Sequence, residues 1–396
     1  MSLKSLTLSA FAFTGLATAA LNDIVSIDPS LTYNLGGSFT GNVSQNFIDT
    51  ITSDPNTTAL FEAARNATFI SYSAEFLSII GPKPTLNLVQ QRNYSFASEV
   101  GVWVPNLNEV WFTGATINEE TLISVLNLKT NEVATANTSI PIININGGYF
   151  FNGNIYFAAD GNATVNPAIY EVDPATGDTK ILIDSYFGLP FNGPNDIVWV
   201  KTGREPYIFF TDDPLSSLYD GGPVPVLVDA VWRFSPSSHS LIPVISRTDV
   251  LVPNGIAVNA EQTKLYVSDT TPIYPGVDSA ANDTGSNGIF VYDINPDGWP
   301  VNKRLFALSR RGFPDGIKVD DAGRVWTGEG EGLVVRDENG VVLGLFNTET
   351  LQPDRGVSSP LENFAIAGQT LVIEANQNLW TLELAADIMG TAKFYL

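Results

Sequence analysis

The chain has 396 residues, of which 44% are hydrophobic and 16% are charged, and it contains no cysteine. This composition is typical of a folded, turn-rich β protein, and the lack of cysteine excludes disulfides, thiolate metal sites and cysteine nucleophiles. A formal net charge of −22 argues against nucleic acid or an anionic membrane as a partner, because both bind through basic patches.

The first predicted element is a signal peptide over residues 1–19. Lys4 supplies its positive end, residues 6–16 form a short apolar run, and Ala17-Thr18-Ala19 is a cleavage pattern. The apolar run is too short for a membrane anchor, so we expect a secreted protein. Seven Asn-X-Ser/Thr motifs follow as predicted glycosylation sites: Asn42, Asn56, Asn66, Asn93, Asn137, Asn162 and Asn282.

Residues 20–66 show weak periodicity and are predicted to form an N-terminal extension on the outside of the main domain, residues 67–396. The run 67–80 is strand-like. We expect it to complete the last repeat of that domain and so remove exposed sheet edges.

Short β-rich runs then recur along the chain, with a period of about 50 residues and about four short strands in each unit. Six such units predict an all-β fold, a six-bladed β-propeller. A pair of β-sandwiches or a β-helix is the alternative, but these folds show shorter spacings or hexapeptide repeats. The runs are 109–113, 154–158, 207–211, 264–268, 324–327 and 370–374.

A second strand precedes each run, and in a propeller the first strand of each blade lines the central axis. The residues that head these strands are therefore expected to converge at one mouth of the channel. Most of them carry side-chain oxygens, the ligands that hard cations such as Ca²⁺ prefer, so the pattern predicts a central metal site. The alternative is that these side chains cap backbone groups at the mouth. The heads are Glu99, Gly147, Asn195, Asn254, Asp315 and Glu362.

These strands resemble the regucalcin/gluconolactonase family of calcium-dependent six-bladed propeller lactonases, including the fungal secreted lactonohydrolases. The motifs that carry the resemblance lie between residues 95 and 380: 99–103 with 109–113, 146–148 with 152–157, 192–196, 210–212, 253–255, 314–320 and 322–326. The resemblance implies that one divalent cation, Ca²⁺ or another divalent metal, is held by Glu99, Asn195, Asn254 and Asp315. Gly193 stands where some animal members carry an arginine, which puts that arginine's substrate contact in doubt.

The chemistry implied by the resemblance is hydrolysis of a small sugar-acid or pantolactone-like lactone. The metal would polarise the carbonyl and a carboxylate would activate water. Asp315 is the first candidate for this catalytic base and Glu362 the second. Gly147 would leave room for the substrate.

Further aspartates are candidates for the surroundings of the metal. Asp196 and Asp212 are predicted to bind substrate, and Asp213 and Asp269 are candidates for the next shell. Turn capping is the alternative for all four residues. Asp212 and Asp269 end second strands, which could place them at the opposite mouth of the channel.

Two other functions remain open: a metal-dependent esterase or phosphotriesterase, and a non-catalytic binding propeller with a structural calcium. His239 is the only histidine and lies in a Ser-rich turn, which argues against a Ser-His-Asp triad or a histidine zinc site. The predicted partner is a small-molecule lactone. The oligomeric state does not follow from the sequence.

Overall fold

The computed structural model describes residues 21–116, 121–220, 222–270, 287–353, 360–385 and 388. The predicted signal peptide and the Asn282 motif lie outside these residues. No helix in this described part of the chain is long and apolar enough to cross a membrane.

The N-terminal part mixes short strands with two helices. α1 begins after Asp54, whose side chain accepts a hydrogen bond from Thr57 N at 2.7 Å, and proline occupies its first turn, where no N–H is needed. The elements are β1 (Ile24–Ser26), β2 (Phe39–Thr40), β3 (Ile51–Thr52), α1 (Pro55–Arg65), β4 (Phe69–Ser71), α2 (Ala74–Ile80) and β5 (Asn87–Gln91), with 3₁₀ turns at Pro29–Thr32 and Phe47–Asp49.

Antiparallel runs of consecutive strands, here called meanders, make up the rest of the chain. The first is β6 (Glu99–Val104), β7 (Glu109–Thr113), β8 (Ile123–Asn127) and β9 (Glu132–Ala136). The second is β10 (Ile145–Phe151), β11 (Asn154–Ala159), β12 (Ala168–Val172) and β13 (Thr179–Ile183). The third is β14 (Pro194–Lys201), β15 (Pro206–Asp212), β16 (Ala230–Ser235) and β17 (Ser240–Ser246), with a π-helical turn at Ser216–Asp220.

The remaining meanders follow the same plan. The fourth is β18 (Pro253–Val258), β19 (Lys264–Asp269), β20 (Gly288–Ile294) and β21 (Pro300–Leu308). The fifth is β22 (Ile317–Val319), β23 (Val325–Glu329), β24 (Gly332–Arg336) and β25 (Val342–Asn347), followed by α3 (Thr348–Leu351). The sixth is β26 (Asn363–Ala367), β27 (Thr370–Ala375) and β28 (Asn378–Glu383), with β5 added at its outer edge.

Buried hydrophobic clusters join each meander to the next, and one cluster joins the sixth meander back to the first. The fold is therefore all-β and propeller-like. The sheets do not separate into the six predicted blades, because a parallel pair between Gly147 and Val100 merges the first two meanders into one eight-stranded sheet. The sheets of four or more strands consequently number five in the described part of the chain.

The run 67–80 does not complete the last repeat, so that prediction is wrong. β4 instead extends the sheet of the fifth meander by pairing with β25, and β5 closes the sixth meander by pairing with β28. Residues 74–80 form α2, because Ser73 caps the first turn by accepting from Phe76 N and Gly81 ends the helix with φ of 80°.

Candidate active site

A central channel runs between the first strands of the meanders. Its cavity is lined by residues of β6, β10, β14, β18, β22 and β26. Most of the lining is apolar, as at Val102, Ile197 and Ile256, and Lys318 is the one charged residue among the described lining residues. The interior therefore offers little polar chemistry, and a site for a polar ligand has to form at a mouth.

First strands begin and second strands end at the same mouth of this channel. Pro194 at the start of β14 pairs with Asp212 at the end of β15, and Pro253 pairs with Asp269 in the same way. The expectation that Asp212 and Asp269 could lie at the opposite mouth is therefore wrong, because an antiparallel hairpin returns the chain to the end from which it came.

β-bulges interrupt several first strands at this mouth. The pairing register shifts within residues 99–102, 194–197 and 253–256. A bulge bends its strand and re-aims the side chains within it. Asn195 and Asn254 both lie inside such a bulge, so they are released from the regular alternation of their strands.

The backbone next to Glu99 adopts an uncommon conformation. Val100 has φ of 82°, which is a true outlier for a β-branched residue, and it pairs with Gly147 of the neighbouring meander. Such strain persists only where the surrounding structure fixes the backbone, and it is concentrated at functional sites. The pairing with the neighbouring meander, rather than the local backbone preference of Val100, therefore fixes the position of Glu99.

Carboxyl groups from several meanders gather at this mouth. Burial raises the pKa of Glu99 well above its ordinary value, and the charges of Asp315, Glu362, Glu374 and Asp160 raise it further. The structure therefore brings the predicted residues Glu99, Asp315 and Glu362 within electrostatic reach of one another. It adds Glu374 and Asp160, which were not predicted.

Glu374, in β27, is the most enclosed of these carboxyl groups. It is fully buried, and neither carboxylate oxygen has a hydrogen-bond partner among the described residues. Burial raises its pKa well above the ordinary value, while the ammonium of Lys318 acts in the opposite direction. Its signal in the sequence is its place at the end of the run 370–374, which pairing sets opposite Asn363 at the head of β26. The heads of the first strands alone do not reveal it.

The two predicted amide ligands reach the same mouth with their side chains unused. Asn195 is 5% exposed and Asn254 is 4% exposed. Within the described ranges, neither side-chain amide makes a hydrogen bond to the protein. The amide atoms of both residues are reachable from solvent, so both positions are accessible to a ligand or water.

Asp315 and Glu362 are fixed through their backbones. Asp315 N donates to Gly328 O at 2.9 Å, and Gly316 N donates to Glu362 O at 2.8 Å. Ser268 Oγ donates to Asp315 O at 3.3 Å from the fourth meander. Three meanders are thus joined where the two candidate bases lie.

Buried hydroxyl groups form similar links elsewhere around the mouth, and sequence reasoning missed them. Thr211 Oγ1 donates to Asn254 O at 2.6 Å, and Thr113 Oγ1 donates to Ile145 O at 3.0 Å. Both hydroxyls, like that of Ser268, lie near the end of a second strand and reach the next meander. A Ser or Thr that recurs at this point of the repeated runs was the available signal.

Gly147 does not leave an open space. A Cβ at this position would lie 2.4 Å from Asn195 O and 2.5 Å from the Cα of Asp196. The prediction that Gly147 makes room for substrate is therefore wrong. The glycine instead permits close approach of the second and third meanders beside Asn195.

Asp196 joins the third meander to the fourth. Its Oδ1 accepts from Ile197 N at 2.8 Å and its Oδ2 accepts from Ile256 N at 3.1 Å. Burial raises its pKa, while Lys318 and the two backbone donors act in the opposite direction. Backbone groups therefore occupy both carboxylate oxygens of this predicted substrate-binding residue.

Asp212 supports the segment that leads to Asn195. Its Oδ1 accepts from Asn192 N and Gly193 N, both at 2.8 Å, and burial raises its pKa to about 7. Asp213 accepts from Leu215 N at 2.8 Å, and burial followed by the charge of Asp160 raises its pKa well above the ordinary value. Asp269 caps the segment before β18 in the same manner as Asp212, by accepting from Val252 N at 2.9 Å.

The donor set at the mouth contains amides as well as carboxylates. No group of three or more His, Cys, Asp or Glu side chains in the described ranges is arranged to hold a metal ion. The predicted set contains two carboxylates and two amides, so it is not of that kind. His239 lies on an exposed turn between β16 and β17, away from this chemistry.

Residues 97–350 match the family described as SMP-30/Gluconolactonase/LRE-like region. The chain belongs to this family. The match begins just before β6 and ends within α3. It excludes the N-terminal extension and the sixth meander.

Curated relatives of this chain include two lactone-opening enzymes by name. The gluconolactonase of Zymomonas mobilis is 31% identical over 242 residues, which cover 58% of this chain and 59% of that enzyme. The chain thus spans less than two thirds of that relative. The lactonohydrolase oryL of Aspergillus oryzae is 28% identical over 304 residues, which cover 72% of this chain and 68% of that protein.

Solved structures share the fold. A gluconolactonase from Xanthomonas campestris superposes with a TM-score of 0.62 at 23% identity, covering 80% of this chain and 95% of that chain. A calcium-binding regucalcin from Agrobacterium tumefaciens superposes with a TM-score of 0.53 at 16% identity, covering 76% of this chain and 94% of that chain. At these identities the likeness establishes the architecture alone.

Proposed function

We propose that this protein is a secreted, calcium-dependent lactonase that opens a small sugar-acid or pantolactone-like lactone. We further propose that its six meanders act as six blades around the channel. The observation that carries the proposal is the convergence of Glu99, Asp315 and Glu362 at one mouth, beside the unbonded amides of Asn195 and Asn254. Family membership and relatives named as lactone-opening enzymes support the reaction class.

The residues at the mouth fit a hard divalent cation. Glu99, Asn195, Asn254 and Asp315 would hold it, because carboxylate and amide oxygens are the ligands of Ca²⁺ and two carboxylates balance its charge. A cation also explains why mutually repelling carboxyl groups, some half-buried and some buried, are gathered at one mouth. The regucalcin of similar fold is a calcium-binding protein, in line with this assignment. When bound, the calcium ion supplies a Lewis acid for the lactone carbonyl.

A carboxylate side chain of the protein would accept the proton of the attacking water. A carboxylate, Asp315 first and Glu362 second, takes a proton from water as the water oxygen bonds to the carbonyl carbon. The ester bond to the ring oxygen then breaks, and that oxygen receives a proton. The product is one hydroxy acid. Asp196 and Asp212, whose oxygens accept backbone N–H groups, would keep the bulge around Asn195 in place rather than bind substrate.

Secretion is part of the same proposal. Residues 1–19 would be removed as a signal peptide, and the surface motifs would carry glycans. Asn42, Asn56, Asn66, Asn93 and Asn137 are exposed. Asn162 is half-buried, and its Oδ1 accepts from Val165 N at 2.9 Å, a bond that does not involve the Nδ2 atom to which a glycan would be attached.

Acid release from a panel of aldonolactones and pantolactone tests the proposal directly. Purified protein should open at least one lactone, lose the activity on treatment with EDTA, and regain it with Ca²⁺. Calcium-dependent cleavage of aryl esters or phosphotriesters, without lactone opening, would favour the esterase alternative. Calcium binding without any of these activities would favour a binding propeller with a structural ion.

Replacement of Glu362 with Gln separates the two candidate bases. If Glu362 is the base, turnover falls while calcium affinity, measured by calorimetry, stays close to that of the wild type. Equal loss of turnover and affinity would make Glu362 a ligand or a structural support. Full turnover in the variant would leave Asp315 as the base.

A further inference from the structure

Two residues of the N-terminal extension, the buried Asn46 and the half-buried Phe47, bond to the fifth meander. Asn46 is 3% exposed, and its Oδ1 accepts a hydrogen bond from Arg311 Nη1 at 2.6 Å. The next backbone N–H, that of Phe47, donates to Glu331 Oε1. These adjacent residues therefore contact two separate segments of the main domain, the loop before β22 and the turn between β23 and β24.

Those two segments are the ones that hold Asp315. The loop contains Arg311 and leads directly to Asp315, and the turn follows Gly328, whose O accepts from Asp315 N at 2.9 Å. Loop and turn are also joined to each other, because Gly330 N donates to Arg311 O at 3.2 Å. A Cβ at Gly330 would lie 2.7 Å from that same oxygen, so the contact is close.

Further contacts hold the N-terminal extension against this loop. The ring of Phe47 packs edge-on against Phe61 of α1 with centroids 5.0 Å apart. Arg310, next to Arg311, donates to the backbone oxygens of Asn42 at 3.2 Å and Gln45 at 2.8 Å. The extension lies outside residues 97–350, which match the family, so these contacts are additional to the shared domain.

We propose that Asn46 and Phe47 form a clasp that positions Asp315 for the cation, with Asn46 and Arg311 as positioning residues. The proposal rests on the calcium site proposed above. The clasp joins the loop before Asp315 to the turn between β23 and β24, which bonds to that loop. It thereby limits the movement of Asp315 in the protein without calcium. Loss of a partner that orients a metal ligand typically lowers metal affinity by about 10- to 100-fold.

Calorimetric titration of EDTA-treated protein with Ca²⁺ tests the clasp without reference to activity. Asn46→Ala and Arg311→Met should each weaken calcium binding by about tenfold. Asn46→Asp keeps an acceptor for Arg311 and loses only the long bond from Nδ2 to Glu349 Oε1 at 3.4 Å, so it should bind calcium more tightly than Asn46→Ala does. The matched control is Arg65→Met, which removes an arginine of the same extension whose side chain bonds only within it, to Asp49 Oδ1 and Ile48 O. This control should lower thermal stability and leave calcium affinity unchanged.

The outcomes separate the clasp from the calcium site itself. Unchanged affinity in Asn46→Ala and Arg311→Met, with lowered melting temperatures, would reduce the clasp to a structural contact. Equal weakening in Arg65→Met would show a general effect of destabilisation and would also overturn the proposal. A wild-type protein that binds no Ca²⁺ would instead refute the proposed function, and the role of the clasp with it.

Discussion

The mouth and the interior of the central channel share the six first strands but have opposite chemistry. At the mouth, β-bulges and strand ends carry carboxylates and amides, including Glu99 and Asn195. A few residues further along each of these strands, the channel lining is apolar, and Lys318 is the one charged residue among the described lining residues. Regular strand pairing continues along the interior, whereas the β-bulges that interrupt this pairing lie where the site forms.

The comparison also shows a cost that only the mouth carries. Burial and mutual repulsion raise the pKa of Glu99 and of Glu374 well above ordinary values, so the charged forms of these groups disfavour the fold. Lys318 in the interior offsets part of this charge. If the mouth binds a cation, removal of its negative charges should weaken cation binding and raise the stability of the protein without the cation.

Replacement of Glu99 with Gln should have the largest effect. Calcium affinity should fall on the order of 100-fold, because loss of a ligand costs at least as much as loss of a residue that orients one. The melting temperature of the EDTA-treated protein should rise, because one of the repelling carboxyl groups becomes neutral. Titration calorimetry and thermal unfolding measure the two effects. Glu132→Gln, at an exposed position, is the control and should change neither. A lower melting temperature for Glu99→Gln in EDTA would show that Glu99 serves the fold.

The repeat pattern allowed part of this mouth to be predicted. Strands with a fixed period bring equivalent positions together, so Glu99, Asp315 and Glu362 could be aligned from spacing alone. Glu374 could not, because it lies on a second strand and reaches the mouth only through antiparallel pairing with β26. Antiparallel pairing within the third and fourth meanders likewise overturned the expectation that Asp212 and Asp269 could lie at the opposite mouth.

Other features depend on contacts between distant parts of the chain. β5 rather than residues 67–80 completes the sixth meander, a choice made by pairing with β28 nearly 300 residues later in the sequence. The contact between Asn46 and Arg311 is equally non-local. At Gly147, a sequence shows the missing side chain but not the backbone that fills its place.

Gly147→Ala should have the next largest effect, because it sharpens the role of close packing at the mouth. The added methyl group would lie 2.4 Å from Asn195 O, and this contact is with backbone that cannot rotate away. We expect a loss of about 3 kcal/mol in the free energy of unfolding, together with weaker calcium binding. Gly203→Ala is the control, since no atom lies within 4 Å of its added Cβ. Denaturant unfolding of both variants measures the difference, and equal stability would mean that the mouth can relax.

The pH dependence of stability should show a smaller effect that belongs to the mouth. Burial raises the pKa of Asp212 from 3.8 to about 7, so the folded protein holds this proton more tightly than the unfolded chain does. Its stabilising contribution is complete below about pH 4 and is lost as pH rises through about 7. Asp212→Asn keeps an acceptor for Asn192 N and Gly193 N but cannot ionise. Melting temperatures from pH 4 to 8 should therefore fall less in the variant, and identical slopes would contradict this assignment.

Lys318→Met should give the smallest effect and is the direct test of how the interior acts on the mouth. The ammonium lowers the pKa of Glu374 and of Asp196, so its charge reaches carboxyl groups at the mouth. It therefore opposes a second positive charge there, and its removal should tighten calcium binding by a factor of about 2 to 5 at low salt. The gain should shrink as salt screens the interaction, and Lys318→Arg, which keeps the charge, should bind like the wild type. Weaker binding in Lys318→Met would mean that the lysine holds the carboxylates in place, and the interior would then be part of the site.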